Sequence, residues 1–145
     1  MAATVEEVPA LDTTIGQRTL PAELLHWGRR NRRDLPWRNT RDPWAVLVAE
    51  VMLQQTRADR VTERWPRFLV RFPDVASCAS ALPAEVIAEW SGLGYNRRAV
   101  HLHRAAGVVM ALHSGRIPTE RTDLEALPGI GPYTCLLYTS DAADE

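Results

Sequence analysis

The chain has 145 residues, 46% apolar and 24% charged, the balance of one ordinary globular domain and too few residues for a large two-domain enzyme. The formal charge of -1 hides an asymmetry: all 17 basic residues are arginine, lie between Arg18 and Arg121, and face 12 acids across residues 18–134, which leaves +5 in that stretch. Such a balance permits a polyanionic partner without demanding one, and an all-arginine choice equally reflects genomic base composition. Two cysteines, Cys78 and Cys135, exclude a disulfide framework and a four-thiolate centre, so no metal or cofactor is expected to be held by this chain. The longest apolar run, Ala45–Leu53, is broken by Glu50 and falls well short of the roughly 20 residues of a membrane span. Glu6 and Glu7 stand where a secretory signal places positive charge, so a cytoplasmic location without membrane contact is expected.

Residues 1–17 mix Thr, Glu, Pro and Ala without apolar periodicity and read as a poorly ordered tail. From there the pattern is helical: Pro21–Arg33, Pro43–Gln54, Asp59–Arg71, Asp74–Ala81, Pro83–Trp90 and Arg97–His113. Pro21, Pro43 and Pro83 fit a first helical turn, and Asp42 and Asp74 fit N-caps. Leu102, Ala105, Ala106, Val109 and Leu112 form one stripe expected to face a core. A short helix is expected from Glu120 and another after Pro132. No alternating strand pattern appears, so the fold class is all-α.

Chemistry concentrates in four segments. In Leu127-Pro-Gly-Ile-Gly-Pro-Tyr-Thr134, two glycines bare the backbone before a helix N-terminus, where amides approach a phosphate closely. Turn chemistry alone explains the same residues equally well. Glu50 lies one turn from Val46 and from Leu53, and burial in such company disfavours its charged form, as a general acid requires. A boundary glutamate reaching water is the plainer alternative. Gln54, Gln55 and Thr56 follow it at a helix end, with amides able to enter a duplex or read base edges. Trp37 and Arg38 set an indole beside a guanidinium in an irregular segment, suited to stacking a base or to anchoring a core. Gly92-Leu-Gly-Tyr95 offers a turn with an aromatic, either a wedge for a base stack or a helix cap. The four histidines are scattered, and no metal site is expected from them.

Taken together, Leu35-Pro-Trp-Arg38, Glu50-Val-Met-Leu-Gln-Gln-Thr56, Gly92-Leu-Gly-Tyr95 and Leu127–Thr134 resemble, in order and spacing, the MutY-type adenine DNA glycosylases of the helix-hairpin-helix glycosylase superfamily. The resemblance covers about residues 20–134 and implies part of that family's six-helix barrel. It also implies a monomeric base excision repair enzyme that removes adenine mispaired with 8-oxoguanine or guanine from duplex DNA. By position, Glu50 matches the acid that protonates N7 of a flipped adenine, and Tyr133 an active-site aromatic. Trp37 and Arg38 match the adenine pocket, while Gln54 lies in the same amide-rich segment as Gln55. Gln55, Thr56 and Tyr95 match groups that probe the duplex, and Gly129 and Gly131 match the phosphate-gripping hairpin. The endonuclease III type carries a lysine where Tyr133 stands; this chain has no lysine and hence no side-chain amine for a Schiff base, so a monofunctional enzyme is expected. Asn96 departs from the second aromatic usual after Tyr95.

Beyond Thr134 the family continues into a catalytic aspartate segment, a four-cysteine [4Fe-4S] motif and a Nudix-like domain, none of which follows here. Cys135–Glu145 can be encoded by a stretch resembling a transposase-based sequencing adapter, so the expected layout is a tail (1–17), a partial glycosylase domain (18–134) and a non-native ending (135–145), inactive as it stands. A helix-hairpin-helix module that binds DNA without catalysis explains the hairpin and the +5 stretch but not Glu50 among its amides. A purely structural helical domain predicts no salt-dependent duplex affinity.

Overall fold

The computed structural model describes residues 21–143, so the expected tail at residues 1–17 lies outside the described part. Contacts divide the chain into a unit ending at Arg33 and a second unit from Asp34 onward. In the first, α1 (Ala22–Arg30) sets Glu23 in its opening turn and Arg29 and Arg30 in its last, matching both ends of the helix dipole. The Asn31 side chain closes it by donating to Trp27 O at 2.9 Å.

The second unit is a bundle of helices, with no strand among the described residues. Its elements are α2 (Pro43–Leu53), α3 (Ala58–Arg71), α4 (Val75–Ser80), α5 (Pro83–Glu89), α6 (Arg97–His113), α7 (Arg121–Glu125) and α8 (Pro132–Ala143). Start signals behave as their chemistry requires. Asp42 accepts from the Trp44 amide at 3.0 Å, and Asp74 accepts from the Ser77 amide at 2.7 Å while Ser77 Oγ receives the Asp74 amide. Pro43 and Pro83 occupy first turns, whereas Pro21 sits just before α1 as its N-cap residue.

The middle of the unit is α2, whose residues Trp44–Met52 are all buried, against α3, α6 and α8. Two long-range indole bonds fix its start: Trp44 Nε1 donates to Phe72 O at 3.0 Å and Trp65 Nε1 to Ala45 O at 2.8 Å. Aromatic edges fill the space behind, with Phe68 5.0 Å from Phe72 and 5.9 Å from Trp90. On the far side α4 and α5 pack on α6, and α7 on α8.

Two expectations need amendment. Leu112 is 75% exposed, because at 3.6 residues per turn it falls about 70° from the middle of the Leu102–Val109 stripe. The place it was given on that stripe belongs instead to Arg98, which is buried four residues before Leu102. Trp37 lies in a single 3-10 turn (Pro36–Arg38) and is 2% exposed, its ring edge-on to Trp65 at 6.1 Å. It therefore anchors the core and offers no open face to a base. α8 runs through residues 134 and 135, with Thr134, Cys135 and Tyr138 all buried.

Candidate active site

The last turns of α2 meet the first turn of α8 across a cavity of about 600 Å³ lined by Glu50, Leu53, Gln54, Gln55, Tyr133, Thr134 and Leu137. Glu50 reaches this cavity although it is only 3% exposed, since every other residue of its helix from Trp44 to Met52 is buried as well. A carboxyl in a nearly dry wall beside an open space is the arrangement from which a proton is delivered to a bound base.

Gln54 and Gln55 are neighbours with separate duties. The Gln54 amide nitrogen donates to Gly129 O at 3.1 Å and to Thr134 Oγ1 at 2.8 Å, so it braces α2 against the hairpin and is not held out to read bases. Gln55 is exposed and sits at φ 56, a left-handed conformation that non-glycine residues adopt at a cost of about 1–2 kcal/mol. Tyr95 does the same at φ 48 and is 65% exposed. Two side chains expected to probe a duplex thus sit at strained, outward positions.

The hairpin between α7 and α8 is closed by Ile130 N donating to Leu127 O at 3.1 Å. Gly129 has φ +78, and a Cβ there would meet His101 Cβ at 2.7 Å, so conformation and packing both demand glycine. Gly131 has open space where a Cβ would be, and its carbonyl starts α8 by accepting from Cys135 N at 2.9 Å. Nothing inside the protein asks for glycine at 131, and bare backbone at a helix N-terminus is what close phosphate approach needs. Tyr133, 72% exposed in the first turn of α8, lines the cavity. Arg38 is exposed at the end of its 3-10 turn and, like Trp37, is absent from the cavity wall.

One functional residue was missed in the sequence. Arg98, 8% exposed, donates from Nη1 to the carbonyls of Val51 at 3.1 Å, Met52 at 2.7 Å and Gln54, and from Nη2 to Thr56 Oγ1 at 2.7 Å, Leu93 O at 3.4 Å and Gly94 O at 3.1 Å. Its guanidinium also lies 5.4 Å from the Trp90 ring and 5.8 Å from the Tyr95 ring. Burial pulls its pKa down and the Tyr95 side chain pushes it up, yet a guanidinium stays charged. The available signal was an arginine on the apolar stripe of α6.

The described residues do not fit the iron–sulfur cluster that the resemblance implies for the family. Such a cluster takes four thiolates, whereas Cys78 and Cys135 are both buried in the core, and burial pushes the Cys78 thiol up to about 12. Among the described residues no group of three or more His, Cys, Asp or Glu is placed to hold a metal ion, and no helix is long and apolar enough to cross a membrane.

A family model described as HhH-GPD superfamily base excision DNA repair protein matches residues 48–133. The chain is 45% identical over 115 residues to an adenine DNA glycosylase of Mycolicibacterium smegmatis, covering 79% of this chain and 39% of that protein. It is 42% identical over 116 residues to a thymine-DNA glycosylase of Aeropyrum pernix, covering 79% and 52%. Among solved structures, a thermostable thymine-DNA glycosylase superposes with a TM-score of 0.79 at 32% identity, over 86% of this chain and 58% of that one. An endonuclease III in a non-covalent DNA complex superposes with a TM-score of 0.70 at 18% identity, over 86% and 61%, a likeness of fold alone. These curated relatives are longer proteins, of which the chain spans between 39% and 52%.

Proposed function

This chain belongs to the HhH-GPD superfamily of base excision DNA repair proteins, and we propose that it carries the base-releasing site of an adenine DNA glycosylase. The substrate is duplex DNA with adenine opposite 8-oxoguanine or guanine, met on the chromosome in a bacterial cytoplasm. The observation that carries the reading is Glu50: a carboxyl 3% exposed, in the wall of a cavity that Gln55 and Tyr133 also line. The relatives named adenine DNA glycosylase at 45–46% identity favour adenine over thymine.

In this reading the open amides of α8 beside Gly131 hold a backbone phosphate, and the duplex lies against Gln55 and Tyr95. Adenine turned out of the stack enters the cavity beside Tyr133. The Glu50 carboxyl gives its proton to N7, and the bond between C1′ and N9 breaks with both electrons leaving on the base. Water then adds at C1′ and returns a proton to the site, giving an abasic sugar and free adenine. Tyr133 stands where the endonuclease III type carries its lysine and offers no amine to attack C1′, so in this reading the strand stays whole.

The test is a chimera in which residues 34–134 replace the matching part of the Mycolicibacterium smegmatis relative. It is expected to release adenine from a duplex with adenine opposite 8-oxoguanine, the strand breaking only after alkali. Glu50→Gln in that chimera is expected to lower release at least about 100-fold while duplex affinity stays within about threefold. Release undiminished by Glu50→Gln overturns the assignment, and binding without release in the parent chimera indicates a DNA-binding module.

A further inference from the structure

The two turns that present Gln55 and Tyr95 come from distant parts of the chain, and a single buried side chain joins them. On one side of the Arg98 guanidinium are the carbonyls of Val51, Met52 and Gln54 at the end of α2, of which Val51 O also accepts the Gln54 amide at 3.3 Å. The negative end of that helix dipole suits a cation, which accounts for an arginine in an apolar stripe. On the other side are the carbonyls of Leu93 and Gly94, in the turn whose next residue is Tyr95. Thr56 closes the circuit: its hydroxyl receives Arg98 Nη2 at 2.7 Å and donates to Leu93 O at 3.3 Å. Glu50 lies one residue before the first carbonyl of the set, on the same helix end.

We infer that Arg98 is a positioning residue that makes one mechanical unit of the turn bearing Gln55, the turn bearing Tyr95 and the helix end bearing Glu50, so that engagement of a mispaired duplex by the two exposed side chains is transmitted to the acid. The inference rests on the proposed glycosylase reading for its substrate, and on the structure alone for the joining of the turns. Both turns hold a non-glycine residue in a left-handed conformation, so neither relaxes to that shape by itself. A six-acceptor guanidinium fork supplies the constraint. Lysine cannot replace it, because one ammonium has three donors at a single point and does not span both turns.

The experiment uses the full 145-residue chain with Arg98→Lys and, as a milder change, Thr56→Val, which removes only the bridging hydroxyl. Two quantities are read: amide hydrogen exchange across residues 54–57 and 92–96, and the ratio of affinities for duplexes with adenine opposite 8-oxoguanine and opposite thymine. In each variant exchange is expected to rise in both turns together, at least about tenfold for Arg98→Lys, while residues 102–109 of α6 exchange as before. The affinity ratio is expected to fall about tenfold for Arg98→Lys, with that variant's affinity for the undamaged duplex within about twofold, and to fall less for Thr56→Val. A purely structural arginine predicts equal loss toward both duplexes, and that result overturns the inference, as does faster exchange in one turn only. If Arg98→Lys does not fold, unchanged exchange and ratio in Thr56→Val overturn it. A parent chain with no preference between the duplexes overturns the mispair reading instead, and the paired exchange result then decides the joining of the turns by itself.

Discussion

At Gly129 an added methyl group would strike the side chain of His101, on a backbone that only glycine holds without strain. Two residues on, at Gly131, the same methyl group would point into open space. The pair therefore separates stability from binding within one hairpin. Gly129→Ala is expected to destabilise the fold by about 1–3 kcal/mol in urea melts. Gly131→Ala is expected to leave stability within about 0.5 kcal/mol yet weaken duplex binding about tenfold, because its methyl group would intrude where a phosphate meets the α8 amides. Equal affinity for Gly131→Ala and the parent chain would remove the phosphate role from this hairpin. In the sequence the two glycines are indistinguishable; what separates them is His101, nearly thirty residues away and pressed against only one of them. The same applies to Gln54 and Gln55, adjacent amides whose difference is a pair of hydrogen bonds from Gln54 to the hairpin.

Helix by helix, the parts that were legible are those whose causes are local. Proline in a first turn and an aspartate accepting from the amides ahead of it act over three or four residues, so α2, α4 and α5 could be placed from sequence to within a residue or two. The cap on α4 is also titratable. Hydrogen bonds from the Ser77 backbone and side chain hold the Asp74 carboxyl below its ordinary range, while slight desolvation acts the other way. A carboxylate with a lowered pKa in the folded chain stabilises at pH values above its unfolded pKa, near 3.9, and that contribution disappears as pH falls through the folded value. Asp74→Ala is thus expected to cost about 1 kcal/mol between pH 5 and 7. The deficit should close in acid as pH falls through the lowered folded value, read as the difference between the two thermal midpoints. A deficit that persists unchanged in acid would mean that the neutral carboxyl accepts the Ser77 amide as well as the carboxylate does. By contrast, the inward turn of Trp37 is set by Trp65 on another helix, and no local pattern carries that information.

For the whole molecule, a charge near zero conceals a basic stretch, and its consequence is a salt dependence. Duplex affinity held by about three phosphate contacts should weaken about 40-fold between 50 and 200 mM salt, from a slope of about 0.9 per contact. Affinity indifferent to salt would leave the hairpin as a turn between helices. The cavity itself was foreseeable only in its members: Glu50, Gln55 and Tyr133 could be named from their segments, but their meeting depends on α8 closing over the end of α2. Arg98 was not foreseeable in its task, since its six acceptors lie between four and 47 positions away. The two cysteines give a way to watch that closure. Cys78 on α4 and Cys135 on α8 are both sealed from solvent, and alkylating reagents attack only an exposed thiolate. The native chain is therefore silent to such a reagent, and each thiol becomes a stopwatch for the opening of its own helix. Cys135 reacting ahead of Cys78 would time the departure of α8 from the site before the bundle as a whole lets go.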